Sequence, residues 1–159
     1  MYSSNKPGSI PCACTVVKKL SRVLVRNYDE ALAGSGINIT QLAVLRCVAR
    51  RPGEPLSRVA EELEMDRTSL YRAIAPMLRD GWLKTTPGAD ARSRAAKLTR
   101  MGTRVLAKAG SRWDGIQCRL IGTFGEEAWA ALVGELHRLA GCADAVSARQ
   151  EVSRIARPG

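Results

Sequence analysis

The segment MDRTSLYRAIAPML, residues 65–78, opens with a residue suited to cap a helix, Asp66, and then spaces Leu70, Ile74 and Met77 or Leu78 at helical intervals. Gly81 follows where a left-handed C-cap belongs. With the apolar stripe turned inward, the opposite face presents Arg67, Thr68, Ser69, Tyr71 and Arg72 within the first two turns. Arginine and hydroxyl groups gathered there suit guanine edges, phosphates and thymine methyls in a major groove. Taken alone, the same face reads as an ordinary solvated surface, so the neighbouring residues carry the decision. Pro76 leaves the carbonyl of Arg72 without its helical N–H partner, at a cost of ~3 kcal/mol in an ordinary helix interior. On the outward side that predicts a local kink rather than a failed helix.

Upstream, residues 56–63 form a short helix that buries Val59, Ala60 and Leu63, and a tight turn separates it from the segment above. Short helix, turn, capped helix is the helix-turn-helix pattern. Before it, Thr40 offers an N-cap to a helix carrying Leu42, Leu45 and Val48, which Arg51-Pro52-Gly53 ends. Downstream, WLKTT (82–86) and RAAKLT (94–99) read as two short strands joined by a tip rich in turn residues. The hairpin is a wing. At its tip Arg92 and Arg94 sit beside Asp90, an arrangement in which an arginine enters a narrow minor groove while the carboxylate holds its direction.

Longer helices lie outside this lobe. Residues 12–33 place Val17, Leu20, Leu24, Tyr28 and Ala31 at helical spacing until GSG, 34–36, stops them. Another runs from Thr99 to about 121, and a third from beyond Gly125 to about 140, with the tail 143–159 helical or frayed. Their apolar surface exceeds what a small module can cover, which predicts a two-fold dimer. The fold class that follows is mainly α with a small β-wing: a single domain, 1–159, in which residues 37–99 form a winged helix-turn-helix lobe. Residues 12–36 and 100–142 form a helical dimerisation lobe, and 1–11 a loose arm.

Composition agrees. In 159 residues, 45% hydrophobic and 25% charged, an aromatic content of 4% favours aliphatic helix packing over a sandwich or barrel. The net charge of +10 points to a polyanionic partner. From Arg67 to Arg104, nine Lys or Arg face only Asp80 and Asp90, a net of +7, so most of the excess lies in the helix-turn-helix and wing. The N-terminus lacks a signal-peptide pattern, and no run of eighteen apolar residues occurs. Cytoplasmic localisation with no membrane partner is expected. No C-x-x-C, phosphate-binding glycine loop or paired carboxylates with a base are present, so no cofactor or enzyme activity is expected. The alternatives to a DNA-binding regulator are a thiol-dependent peroxidase and a winged helix used for protein interaction.

The pair Cys12 and Cys14, in PCACT (11–15), has four readings. Metal is disfavoured, because His137 and scattered cysteines do not make a ligand set. A disulfide between the two would close a strained small ring. What remains is a reactive thiol or ordinary packing. Cys14, in the first turn of the first helix with Lys18 and Lys19 one turn on, sits where the helix dipole favours a thiolate.

Element order, together with MDRTSLYR, RDGWL, Asp90-Ala91-Arg92 and the following LTRMG, resembles the MarR (multiple antibiotic resistance regulator) family over about residues 12–141. The resemblance implies a dimeric winged-helix transcriptional regulator, most often a repressor, on a pseudo-palindromic double-stranded operator. It also implies that Arg67, Thr68, Ser69 and Arg72 read the major groove and Arg92 the minor groove. Cys14 is similar in placement to the reactive cysteine of the organic-hydroperoxide-sensing branch, and Tyr28 matches a tyrosine that hydrogen-bonds it there. Two-cysteine members of that branch close a disulfide between the first helix of one subunit and the long helix of the other, which implies Cys118 as the partner. Other members imply a small aromatic ligand as effector instead. The chain departs from the family pattern at Glu64, where glycine is common, at Pro76, and at Lys18 and Ile39, which stand at two further tyrosine positions.

Overall fold

The computed structural model describes residues 10–87 and 94–155, with side chains through 149. Two compact units emerge, Met1–Ile116 and Gln117–Gly159.

The first unit begins with α1 (Ala13–Leu32), a 3-10 turn (Ala33–Ser35) and α2 (Ile39–Arg50). Gly36, at φ 81°, supplies the left-handed step that ends the turn, a conformation glycine takes without a Cβ clash. The cap of α2 differs from expectation. Asn38, not Thr40, is the N-cap: its side chain accepts from Gln41 N–H, while the Gln41 side chain accepts from Asn38 N–H. This capping box satisfies two end groups at once, and Thr40 lies inside the first turn. Asp29 of α1 accepts the N–H of Ile39 at 2.7 Å, so the start of α2 is tied to α1.

Next come α3 (Leu56–Glu62) and α4 (Arg67–Arg79), then the strands β1 (Leu83–Pro87) and β2 (Arg94–Leu98). The strands pair antiparallel in the register Leu83↔Leu98 through Pro87↔Arg94. A bridge from Pro55 to Ala95 and a hydrogen bond from Gly53 N–H to the Ala96 carbonyl fasten the loop before α3 to this sheet. The long helix α5 (Arg100–Phe124) follows. Thr99 anchors its start: the hydroxyl donates to the Gly81 carbonyl at 2.6 Å and accepts from Gly102 N–H at 3.0 Å.

Leu42, Val44, Leu45 and Val48 of α2 meet Leu56 and Val59 of α3, Leu70, Ile74 and Met77 of α4, and Leu83 and Ala96 of the sheet. All are essentially removed from solvent. Each such aliphatic side chain contributes ~1.5–3 kcal/mol, so this core fixes how α3 and α4 sit. Met77, rather than Leu78, is the fully buried choice.

The second unit holds the end of α5 and α6 (Glu126–Ile155), joined at Gly125 with φ 96°. Phe124 and Trp129 meet edge to face across the joint, ring centres 6.3 Å apart. Helix α6 runs well past the expected end near residue 140. Gly141 alone costs about 1 kcal/mol in a helix, and the alanine-rich residues behind it, with no proline before Pro158, carry the helix on. Among the described residues no single helix is long and apolar enough to cross a membrane.

Candidate nucleic-acid interface

The turn between α3 and α4 is closed by a hydrogen bond from Met65 N–H to the Ala60 carbonyl at 2.9 Å. It requires a left-handed residue, and Glu64 takes that position at φ 49°. Asp66 then caps α4 with both carboxylate oxygens. Oδ1 accepts from Ser69 N–H at 2.9 Å and Oδ2 from the Ser69 hydroxyl at 2.6 Å. The Ser69 hydroxyl and N–H hold the Asp66 carboxyl below its ordinary value.

With Leu70, Ile74 and Met77 fully buried, Arg67, Thr68, Ser69, Tyr71 and Arg72 all face solvent; Tyr71 is 48% exposed. The five residues singled out in the sequence therefore share one open face. Helix α4 continues through Pro76 to Arg79.

Arginines in this lobe fall into two groups. Arg50 pairs with Glu62, Arg51 with Glu62 at 3.0 Å and Glu54 at 3.4 Å, Arg58 with Glu61 at 2.8 Å and Arg79 with Asp80 at 3.0 Å. Arg67, Arg72 and Arg94 make no ion pair among the described residues, and neither do Lys84 and Lys97. The chain's own carboxylates thus pair with the cations around α3 and with Arg79 at the end of α4, and among the described residues they leave Arg67, Arg72, Lys84, Arg94 and Lys97 without an ion pair. Glu62 is the centre of the first group: bonding to Arg50 holds its carboxyl below the ordinary range, which joins the end of α3 to the end of α2.

In the wing, Lys84 and Lys97 stand directly opposite each other, both exposed. Like charges in that relation destabilise a sheet, so the pair makes sense where a polyanion compensates. Sequence counted both lysines in the basic segment without pairing them, because register is set by the turn. Arg94, exposed, opens β2. Asp90 and Arg92 lie outside the described residues.

A further contact joins α2 to α5. The Arg46 guanidinium lies 4.0 Å from the centre of the Trp113 ring. Burial lowers the Arg46 pKa, partly countered by Asp114.

Cys14 and Cys118 are exposed and belong to the first and second units respectively. Tyr28 is half-buried, and burial raises its phenol. The fold raises the acidity of the Cys12 thiol. Helix α1 starts at Ala13, so Cys12 is the N-cap and its sulfur faces Thr15. The Thr15 N–H, then its hydroxyl and more weakly Lys18, lower the thiol, although the contact stops short of a capping bond. Cys47 is buried and raised by desolvation, with Glu62 adding to it. Among the described residues no three His, Cys, Asp or Glu side chains gather as a metal site.

The IclR helix-turn-helix domain family matches residues 42–87, from α2 through β1. No curated protein sequence matches the chain. Among solved structures, the M. tuberculosis transcriptional regulator MosR in complex with DNA is similar at a TM-score of 0.78 and 32% identity, covering 86% of this chain and 98% of that one. The repressor CouR bound to a 23-mer DNA duplex gives 0.77 at 22% identity, covering 87% and 99%. MarR from E. coli gives 0.67 at 19% identity, covering 82% and 98%. The last two show the fold alone. With a winged helix-turn-helix built on α2 to β2 and MosR matched over nearly its whole length at that identity, the chain belongs to the MarR family of winged helix-turn-helix transcriptional regulators.

Proposed function

We propose that the chain is a homodimeric repressor that lays two copies of α4 in successive major grooves of a pseudo-palindromic operator. Arg67, Thr68, Ser69, Tyr71 and Arg72 face the bases and phosphates, while Arg92 and Arg94, directed by Asp90, reach the minor groove from the wing. The observation that carries this reading is the sorting of charge: the cations around α3 are paired internally, whereas Arg67 and Arg72 in the first turns of α4, and Arg94 and Lys97 of β2, make no ion pair among the described residues. MosR and CouR, which are seen with DNA, support it. Exposed aliphatic side chains on α1 (Val16, Val17, Leu20, Val23 and Val25) and on α6 (Leu136, Leu139 and Val146) support the dimer. A lone subunit leaves them in water, at a cost of ~25 cal/mol per Å².

Operator release is assigned to cysteine oxidation or a small ligand. In the first case a hydroperoxide oxidises the Cys14 thiolate to a sulfenic acid and leaves as the alcohol; the Cys118 thiol of the other subunit then displaces water to close an intersubunit disulfide. Gel shifts before and after hydroperoxide, run beside Cys14→Ser and Cys118→Ser, test this; unchanged affinity in all of them removes the redox branch and leaves the ligand.

For DNA binding itself, neutralising about six to ten phosphates gives a log–log salt slope of about −5 to −9. Salt-insensitive binding, or none to the protein's own upstream DNA, would refute the proposal. Repeated turnover of hydroperoxide with a thiol reductant would instead make the chain an enzyme.

A further inference from the structure

Ser69 occupies an unusual electronic position on the exposed face of α4. Its hydroxyl lies 2.6 Å from Asp66 Oδ2, and its N–H lies 2.9 Å from Asp66 Oδ1. The carboxyl is held below its ordinary range by these same contacts, so near neutral pH it is a carboxylate and can only accept. The single hydroxyl proton of Ser69 therefore points at Asp66. Two lone pairs remain on Oγ, and no donor among the described residues reaches them. Ser69 is exposed, so those lone pairs face outward beside Arg67, Thr68 and Arg72.

We infer that Ser69 is an acceptor-only reader, which selects a base presenting an exocyclic amino group in the major groove, adenine N6 or cytosine N4, at one position of each half-site. The inference rests on the reading of α4 as the DNA-reading helix. An unrestrained serine adapts to almost any edge, because its hydroxyl rotates to donate or accept. Here rotation would break a short charge-assisted bond to the carboxylate that caps the helix through its other oxygen. Guanine O6 and N7, adenine N7 and thymine O4 are all acceptors, and each would meet a lone pair rather than a proton. Every base pair carries one amino group in the major groove, so Ser69 does not separate A·T from G·C. It fixes which strand carries the amino-bearing base. Arg67 and Arg72 supply donors for guanine and phosphate, so the face holds donors and an acceptor in fixed relative places. Asp66 touches no base in this scheme; it is a positioning residue acting through Ser69.

The test uses the full-length chain and a duplex enriched on it from a random pool. The duplex is remade with each adenine in turn replaced by unsubstituted purine, each cytosine by pyrimidin-2-one and each guanine by 7-deazaguanine. The first two lose the amino group and the third loses the N7 acceptor. Wild type, Ser69→Ala and Asp66→Asn are titrated against the series. At one position per half-site, loss of the amino group weakens wild type about tenfold, and leaves Ser69→Ala unchanged. Asp66→Asn retains a capping carbonyl for the Ser69 N–H but releases the hydroxyl proton. It shows a smaller dependence at that position and accepts a base with a carbonyl there. Coupling of Ser69→Ala to a 7-deazaguanine position, or to no position while the duplex still binds, overturns the assignment of Ser69 alone. If no duplex is enriched, the reading of α4 fails and takes this inference with it.

Discussion

The Trp82 carbonyl oxygen occupies the space that a Cβ on Gly102 would need. The Thr99 hydroxyl donates to the neighbouring Gly81 carbonyl and the Thr99 N–H to the Trp82 carbonyl at 3.0 Å, so the start of α5 is seated against the backbone of the α4–β1 turn. Gly102→Ala must move one or the other, with an expected loss of about 3 kcal/mol in denaturant unfolding. Gly110→Ala, in the same helix with open space around it, should gain ~0.5–1 kcal/mol. Equal effects of the two substitutions would contradict this seat.

Arg46 over Trp113 ties α2 to α5 by a cation–π contact. A double-mutant cycle with Arg46→Met and Trp113→Leu should return a coupling of about 1 kcal/mol. A coupling indistinguishable from zero would reduce the pair to incidental packing.

Lys84 opposite Lys97 separates stability from binding. Lys84→Glu turns a repulsive cross-strand pair into an attractive one, worth about 0.5 kcal/mol to the fold. The same change weakens operator binding and makes the salt slope shallower by about 1. Loss of stability together with affinity would mean that the lysines serve the sheet and not DNA.

Acid should loosen the helix-turn-helix before the rest of the lobe. The Glu62 carboxyl is lowered from 4.5 by Arg50 foremost. A depressed folded value contributes stability that is complete above 4.5 and is lost as pH falls through the lowered value. Asp66 acts in the same direction below 3.8. Glu62→Gln should lower the denaturation midpoint at neutral pH and flatten its decline in acid. A wild-type midpoint that stays level below 4.5 would exclude this role for Glu62.

The thiols should differ in reactivity. Cys12, exposed and lowered from 9.0 by Thr15, is expected to be alkylated by iodoacetamide well ahead of Cys47, which is buried and raised. Thr15→Val should slow Cys12 without changing Cys47. Peptide mass spectrometry over a time course reads both.

Much of this architecture was legible in the chain. Leu70, Ile74 and Met77 declare the buried face of α4 because their spacing follows the helical period, and the five exposed residues opposite them follow directly. Asp66 was legible as a cap from its place before that stripe. The proton that Ser69 gives it was not, since that depends on a rotamer. Asn38 outranked Thr40 because a cap is decided by which residue leaves the helical backbone, which composition does not encode. The pairing of Arg50 and Arg51 with Glu62, and of Arg46 with Trp113, joins residues brought together only by packing. Cys12 drew less attention than Cys14 because a helix read as starting at residue 12 takes Cys12 into its first turn, whereas a start one residue later, at Ala13, makes Cys12 the N-cap. The tail beyond about residue 140 reads as helical or frayed because its apolar stripe fades there, and the structure continues α6 to Ile155 since nothing behind Gly141 breaks a helix.

The left-handed residue between α3 and α4 is a glutamate, and that places part of the turn's cost in a different state of the protein. A non-glycine residue held at φ 49° carries ~1 kcal/mol of strain when folded. A glycine would escape the strain, yet its unfolded chain would have more conformations to lose, worth ~0.4–1 kcal/mol. The two terms nearly cancel. The geometry that presents α4 is thus available to a side chain bearing charge at little net expense, and the unfolded ensemble is narrower at the joint the fold must form.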